Sequence, residues 1–385
     1  MLAAMRCTVS IRRAGLSVLA AVATFAFRAA GAPPAPLEIR FSGMADASSG
    51  ETLGRDWVVV ANDEDNVLRV YRVPQGGAPV ASCDLAPWMA LAPKSPEMDL
   101  EGSARIGDVY YWITSHAPNR EGKPRPNRKR LFALRITLRD GAPAFEPVGK
   151  PVATLLADLG RDPRYAPLRL EEAALRPPKT PGSLNIESLC DAPDGTLLIG
   201  FRSPTPEGRA LLAPLENPAD YLSGRAPRFG APLLLDLGGN GLRAMIRTTG
   251  GDYLLMSGSP EAGGTPRLYR WSGRPDAQPA PAALALPSDA TPEGLVELSA
   301  SPGPALLVLS DDGTRPVDGV PAKRLADPAT RVFRGFLFPS LPWTARGKKK
   351  GAAPCAAPVQ PNTARAPVAP SGPRPQRASA RSAAS

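Results

Sequence analysis

Five stretches of this chain repeat one outline: "MADASSG…WVVVANDED", "DLEGSARIGDVYYWITSH", "NIESLCDAPDGTLLIGFRS", "GNGLRAMIRTTGGDYLLMSGS" and "TPEGLVELSASPGPALLVLSDDG". Each sets a strand rich in small residues before a turn and a strongly apolar second strand. Most continue into a third strand ("VLRVYRV", "RLFALRI", "ALLAPLE", "RLYRW", "VFRGFLF"), and a fourth is expected at "PVASCDL", "PVATLL", "APLLLDL" and "AALALP". Short strands separated by Gly, Pro and Asp turns, at a period of roughly 50 residues, are the signature of a β-propeller. The second strands are expected to begin near positions 57, 109, 196, 253 and 305.

The fold class is therefore all-β, with about five four-stranded blades and room for a sixth in the one long gap. Two insertions fill that gap, "SHAPNREGKPRPNRKR" and the Pro-rich run from Asp158 to Ser183, where "RLEEAALR" (169–176) alone reads as a short helix. The last repeat lacks a fourth strand while the chain begins with an orphan strand, "LEIRF" at 37–41. Joining the two closes the ring and removes open sheet edges. A two-sheet sandwich is the structural alternative, but it would not need the repeat.

Residues 1–32 read as a secretory signal: Arg6, Arg12 and Arg13 precede an uncharged apolar run from Ala14 to Phe27, followed by small residues. That run is short of the roughly 20 residues that cross a bilayer, so no membrane span is expected, and the protein is expected in the periplasm or outside the cell. Residues 33–343 form the propeller domain, and 344–385 an Ala/Pro-rich basic tail with too few large apolar side chains to offset chain entropy. The signal carries four Arg and the tail eight Lys or Arg, with no acids in either, so the net charge of +10 does not belong to the folded part. A nucleic-acid partner is excluded on that ground, and a monomer is expected. Cys83 and Cys190 can pair in an oxidising compartment, but no spacing argues for it, and small buried thiols are the default.

In a propeller the first strand of every blade lines the central channel, so one register meets as a ring. The sequence puts Asp46, Glu101, Glu187, Asn240 and Glu293 there. Crowded carboxylates must shift their pKa values or share a cation, and an all-oxygen set of Asp46, Glu101, Glu187 and Glu293 suits Ca2+. The same acids can instead lock blade to blade through backbone amides or through Arg202 and Arg243. Asn62, Asp63, Glu64, His116, Arg202, Ser257, Asp311 and Asp312 close the second strands, where propellers present ligand sites; "NDEDN" and "SDDG" have the oxygen ligands of calcium loops, but ordinary turns are the favoured reading. His116 is the only histidine, no G-x-S-x-G elbow surrounds a serine and no second histidine supplies a zinc pair, so serine-hydrolase and zinc chemistry are weak readings. The basic segment 116–130 can hold phosphate or simply lie in solvent.

"VVANDEDNVLRVYRV", "DLEGSARIGDVYYWITSHAPNREGKPRPNRKRLFA", "GSLNIESLCDAPDGTLLIGFRSP" and "ALLAPLENP" together resemble the bacterial family called domain of unknown function 3616, from about Phe41 to Phe338. The resemblance implies a role for Asp46, Asn62, Asp63, Glu64, Asp65, Asn66, Glu101, His116, Asn127, Arg128, Glu187 and Arg202. It implies Gly after the third acid, where this chain has Ser188, a side chain expected to narrow the space near Glu187. A more distant likeness is to esterase-like and phytase-like propellers that use calcium and acidic residues on phosphate esters. The expected function is a ligand-binding exported propeller, with the ligand a small molecule, a phosphate-containing compound or a protein. The channel-mouth set for it is Asn62, Asp63, Glu64, His116, Asn127, Arg128, Arg130, Arg202 and Asn240. The alternatives are a calcium-dependent phosphoester hydrolase, with Arg128, Arg130 and Arg202 on phosphate and His116 as general acid, and a protein-interaction scaffold.

Overall fold

The computed structural model describes residues 35–139, 142–299 and 303–341; the expected signal, the basic tail, Cys7 and Cys355 lie outside them. Five four-stranded antiparallel sheets form the ring of a β-propeller. Blade I comprises Ala47–Leu53, Trp57–Asn62, Val67–Arg72 and Ala81–Asp84; blade II Leu100–Ile106, Val109–Thr114, Leu131–Arg139 and Ala142–Val152. Blade III comprises Asn185–Asp191, Leu197–Ser203, Ala210–Leu215 and Leu233–Leu235; blade IV Gly241–Arg247, Tyr253–Gly258, Leu268–Trp271 and Ala280–Ala282. Blade V is built from Pro292–Leu298, Ala305–Ser310 and Val332–Phe338, completed by the N-terminal strand Leu37–Ser42, which pairs antiparallel with Val332–Phe338.

The apolar runs of the second strands follow from their position. Each is covered on both faces by neighbouring blades, and five core clusters fill the five interfaces. Along Trp57–Asn62, Val58 and Val60 point into the cluster shared with blade V, and Val59 and Ala61 into the one shared with blade II. That alternation is the period of two that a strand imposes. The long gap holds no sixth blade. Helices Leu155–Arg161 and Leu170–Ala173 occupy it, and Leu155, Leu156, Leu159 and Leu170 extend the core between blades II and III.

Two expected fourth strands are displaced. Blade II uses Ala142–Val152, and most of "PVATLL" leads into the helix at Leu155; blade IV uses Ala280–Ala282, ahead of "AALALP". Both expectations followed the apolar residues, and those residues instead pack beneath the sheet edges, where Leu284 and Leu286 join the core of blades IV and V.

Every inner strand carries a β-bulge near its start, as pairing slips between Ala47 and Gly50, Leu100 and Gly102, Ile186 and Ser188, Leu242 and Ala244, and Pro292 and Gly294. A bulge re-aims the residue it frees. The freed register holds Ser49, Glu101, Glu187, Arg243 and Glu293. Asn240 and Asp46 fall outside this ring, which corrects the expected set: three carboxylates, an arginine and a serine occupy it. Ser188 turns its hydroxyl toward the facing second strand. Its Oγ stands where a Cβ on the facing Gly200 would fall, 2.0 Å away, so blade III exchanges the small and large partners that Gly102 and Ile113 form in blade II.

Candidate functional site

The starts of the inner strands and the ends of the second strands meet at one mouth of the channel. Asp46 leads into blade I and bridges to Asp311 at the end of blade V, bringing Asp46, Asp63 and Asp311 into one acidic group. Its carboxylate rests against Gly313, where an added Cβ would lie 1.7 Å from Asp46 Oδ1. Lys323 Nζ stands 3.6 Å from Asp46 Oδ1 and pairs with Glu64. Burial first, and then Asp311, push Asp46 up to about 7, with Lys323 opposing. Asp63 is pushed well above the carboxylate range by burial and by Asp311, Asp99 and Asp46. Its Oδ1 is buried and accepts no hydrogen bond.

Asp99, from the loop before blade II, joins this group. Arg128 Nη1 donates to it at 2.8 Å and Arg128 Nη2 to Glu97 at 2.7 Å. Burial, with Glu97 adding, raises Asp99 to about 6 against the attraction of Arg128. Glu101 makes no hydrogen bond or ion pair among the described residues, and burial, then Asp99, Glu187 and Asp63, push it up. Across the channel the charges are compensated. Arg202 Nη1 donates to Glu187 at 2.7 Å and its Nε to the Ser259 carbonyl at 2.6 Å, while Asn185 Nδ2 donates to the same carboxylate. Arg243 pairs with Glu293 and donates through Nε to the Pro292 carbonyl at 3.0 Å. The mouth is thus acidic where blades V, I and II meet and nearly balanced along blades III and IV.

Several expected binding residues serve the framework instead. Asn127 is buried, accepts from Ala92 N–H and donates to the Ala92 and Ser95 carbonyls, so its amide is spent on holding that loop. Asn62 accepts from Glu64 N–H in a turn, and Asn240 donates to the Leu237 and Gly238 carbonyls at 3.2 and 3.3 Å. Asp65 pairs with Arg69, Asn66 holds Met98 N–H and the Pro96 carbonyl, and Asp312 pairs with Arg334 at 2.8 Å. Arg130 folds back on the Pro126 and Lys129 carbonyls. Asp and Asn at strand ends satisfy orphan backbone groups by preference, and only Asp63 of that acidic run faces the cluster unpaired.

His116 does not fit the general acid expected of it. Its side chain is fully buried and its backbone left-handed at φ 55, held by a hydrogen bond from its own N–H to the Arg128 carbonyl. Because the Thr114 carbonyl 2.9 Å away can only accept, Nδ1 carries the proton and Nε2 is a buried acceptor without a partner. Burial lowers the imidazole to about 4. A folded-state pKa below the unfolded 6.5 adds stability above pH 6.5 that is lost as pH falls through 4. Between pH 7 and pH 4 this single group is expected to remove about 3 kcal/mol. Urea unfolding of the parent and of His116→Gln at both pH values checks it, the variant being flatter by that amount, since the carboxyls at the mouth act alike in both.

Asp99 and Lys323 were not found from the sequence. Asp99 closes a Pro-rich loop directly before "LEGS", a position that marks it only once the blade start is known. Lys323 meets Glu64 across 259 residues of chain, and no local pattern signals such a contact. No three His, Cys, Asp or Glu side chains among the described residues group as a metal site, and no helix there is long and apolar enough to cross a membrane. Cys83 and Cys190 are free thiols.

No protein-family model matches the chain, and no curated protein matches it. Among solved structures, glutaminyl cyclase of Myxococcus xanthus is similar at 12% identity with a TM-score of 0.42, covering 79% of this chain and 96% of that one. PQQ-bound aldose sugar dehydrogenase of Streptomyces coelicolor follows at 12% identity and 0.39, covering 80% and 100%. At these scores neither likeness carries an argument about what this chain binds or does.

Proposed function

We propose that this protein is an exported propeller of the domain-of-unknown-function 3616 type that binds a positively charged ligand at the acidic mouth of its channel. The observation that carries the reading is Asp63, whose Oδ1 is buried without a hydrogen-bond partner among the described residues, and which is surrounded by Asp46, Asp99 and Asp311. Such a group is costly to bury unless an opposite charge arrives, and Glu101 stands beside it with no hydrogen bond or ion pair among the described residues, its charge opposed only at longer range by Arg243. Family membership rests on the long motifs around Asp63, Glu101 and Glu187, and export on the N-terminal charge and apolar pattern.

The phosphoester reading has less support, because Arg128 and Arg202 are already engaged by carboxylates. The exposed large apolar side chains Leu37, Val80, Leu138 and Leu175 lie on different blades or on the insertion, and Val317 and Val320 make only one small pair on a short hairpin, which favours the mouth over a protein-binding face.

Melting temperature is the test, with calcium and methylguanidinium as separate probes on the parent and on Asp63→Asn. A ligand at a hundred times its Kd stabilises by about 2.7 kcal/mol, a shift on the order of 5 °C for a domain of this size. The parent is expected to shift with one probe and the variant with neither. Asp63→Asn should itself melt higher at pH 7, because a carboxyl raised in the folded state loses its stabilising effect as pH rises. A parent indifferent to both probes, or a variant that responds like the parent, sinks the reading.

A further inference from the structure

At the opposite end of the channel, all five inner strands contribute to a second cavity of about 320 Å3. Its walls follow from the bulge register. Two residues beyond the bulge stand Glu51, Ser103, Leu189 and Met245 in blades I to IV, a single carboxyl among apolar and hydroxylic side chains, and blade V adds Val296. Two residues further, blades II to V carry Arg105, Asp191, Arg247 and Glu297, which alternate in sign around the rim.

The rim groups are engaged with one another or with backbone. Arg247 Nε donates to Asp191 at 2.9 Å, Glu297 accepts from Thr249 N–H at 3.1 Å, and Arg105 donates to the Gly107 carbonyl at 2.8 Å while lying over the Tyr110 ring. Glu51 makes no ion pair among the described residues and faces the cavity with Ser103 at its side. With Asp191 and Glu297 already engaged at the rim, Glu51 alone cannot supply the six to eight oxygens that a calcium ion takes. It suits a ligand with one ammonium group and a short hydrocarbon part, and the volume lies at the small end of ligand cavities, roughly 300–1,000 Å3.

We propose that this lower cavity binds a small alkylamine, its ammonium on the Glu51 carboxylate and its alkyl chain against Leu189 and Met245. The site is independent of the mouth. Between them the channel narrows to a space of about 20 Å3 beside Ser48, Ser49 and Glu101, room for about one water.

The charge state of Glu51 gives the site a signature. Burial first, and then Asp191, push its carboxyl up to about 8, against smaller opposing effects of Ser103 and Arg105. The neighbouring Cys190 thiol is buried and pushed well up, so it stays neutral. At pH 7 the empty site therefore holds Glu51 mostly protonated. An entering ammonium stabilises the carboxylate, the Glu51 O–H proton leaves to solvent, and the amine keeps its own.

Isothermal titration of the full-length protein with butylamine, in two buffers of different protonation enthalpy at pH 7 and pH 9, tests this. The expected result is release of close to one proton per amine at pH 7, little release and tighter binding at pH 9, and at least a tenfold loss of affinity in Glu51→Gln. Asp63→Asn should bind butylamine like the parent. Absence of binding heat in the parent, binding without proton release at pH 7, or affinity lost in Asp63→Asn but kept in Glu51→Gln would each overturn the proposal; the last places the amine at the mouth.

Discussion

Alanine in place of Arg202 is expected to lower the unfolding free energy by about 3–5 kcal/mol. The side chains of Arg202 and Glu187 are each 7% exposed, and the guanidinium also holds the Ser259 carbonyl of the next blade. Removing it leaves Glu187 buried with only the Asn185 amide as a donor, and frees the seam between blades III and IV. The cost arises from the stranded charge more than from the lost attraction, so removing both charges should recover most of it. Denaturant unfolding of Arg202→Ala, Glu187→Gln and Glu187→Gln/Arg202→Met closes the cycle. A single-variant loss under about 1 kcal/mol would mean that water reaches Glu187 readily. The same proteins separate the two roles this position can have. If Glu187 only locks blades, the double variant keeps the response of the mouth to its probe ligand.

Phe41→Ala is expected to cost a similar amount, about 3–5 kcal/mol, through loss of transfer energy and a cavity that rigid blades cannot collapse. Phe41 is fully buried, stacks on Phe333 with ring centroids 4.8 Å apart and meets Tyr71 edge-on at 5.2 Å. These three rings hold the N-terminal strand against the last strand and both against blade I. Their loss loosens the one place where the ring is closed by strands from opposite ends of the chain, joined by no turn. Unfolding in urea gives the magnitude, and limited proteolysis should show first cuts near residue 37. Leu37→Ala in the same strand is the control: at 56% exposure it should change stability by under about 0.5 kcal/mol. Equal losses for the two variants would move the energy of closure from the aromatic cluster to the backbone ladder.

The blades were legible because each is a local pattern of apolar runs and turn residues within a few dozen positions. The second strands at Trp57, Val109, Leu197, Tyr253 and Ala305 stand within a residue of where the apolar runs put them. The outer strands were less legible: at the rim of a blade one face meets solvent, and the three residues Ala280–Ala282 carry no alternation to read. The helix from Leu155 escaped notice because its leucines face the core between blades as a strand's would.

What the sequence determined by itself was the repeat, closure by the first strand and the acids at Glu101, Glu187 and Glu293, because each is set by neighbours along the chain, whereas five blades rather than six followed from the helices in the long gap. Only the tertiary structure decided which side chains share the channel. Asp46 and Asn240 stand three residues ahead of Ser49 and Arg243, which strand pairing puts in the channel register, and an odd offset along a strand reverses the face a side chain presents. It also decided which charges meet. The contact of Lys323 with Glu64 and the isolation of Asp63 and Glu51 depend on distances between remote segments, and no local pattern of residues encodes them.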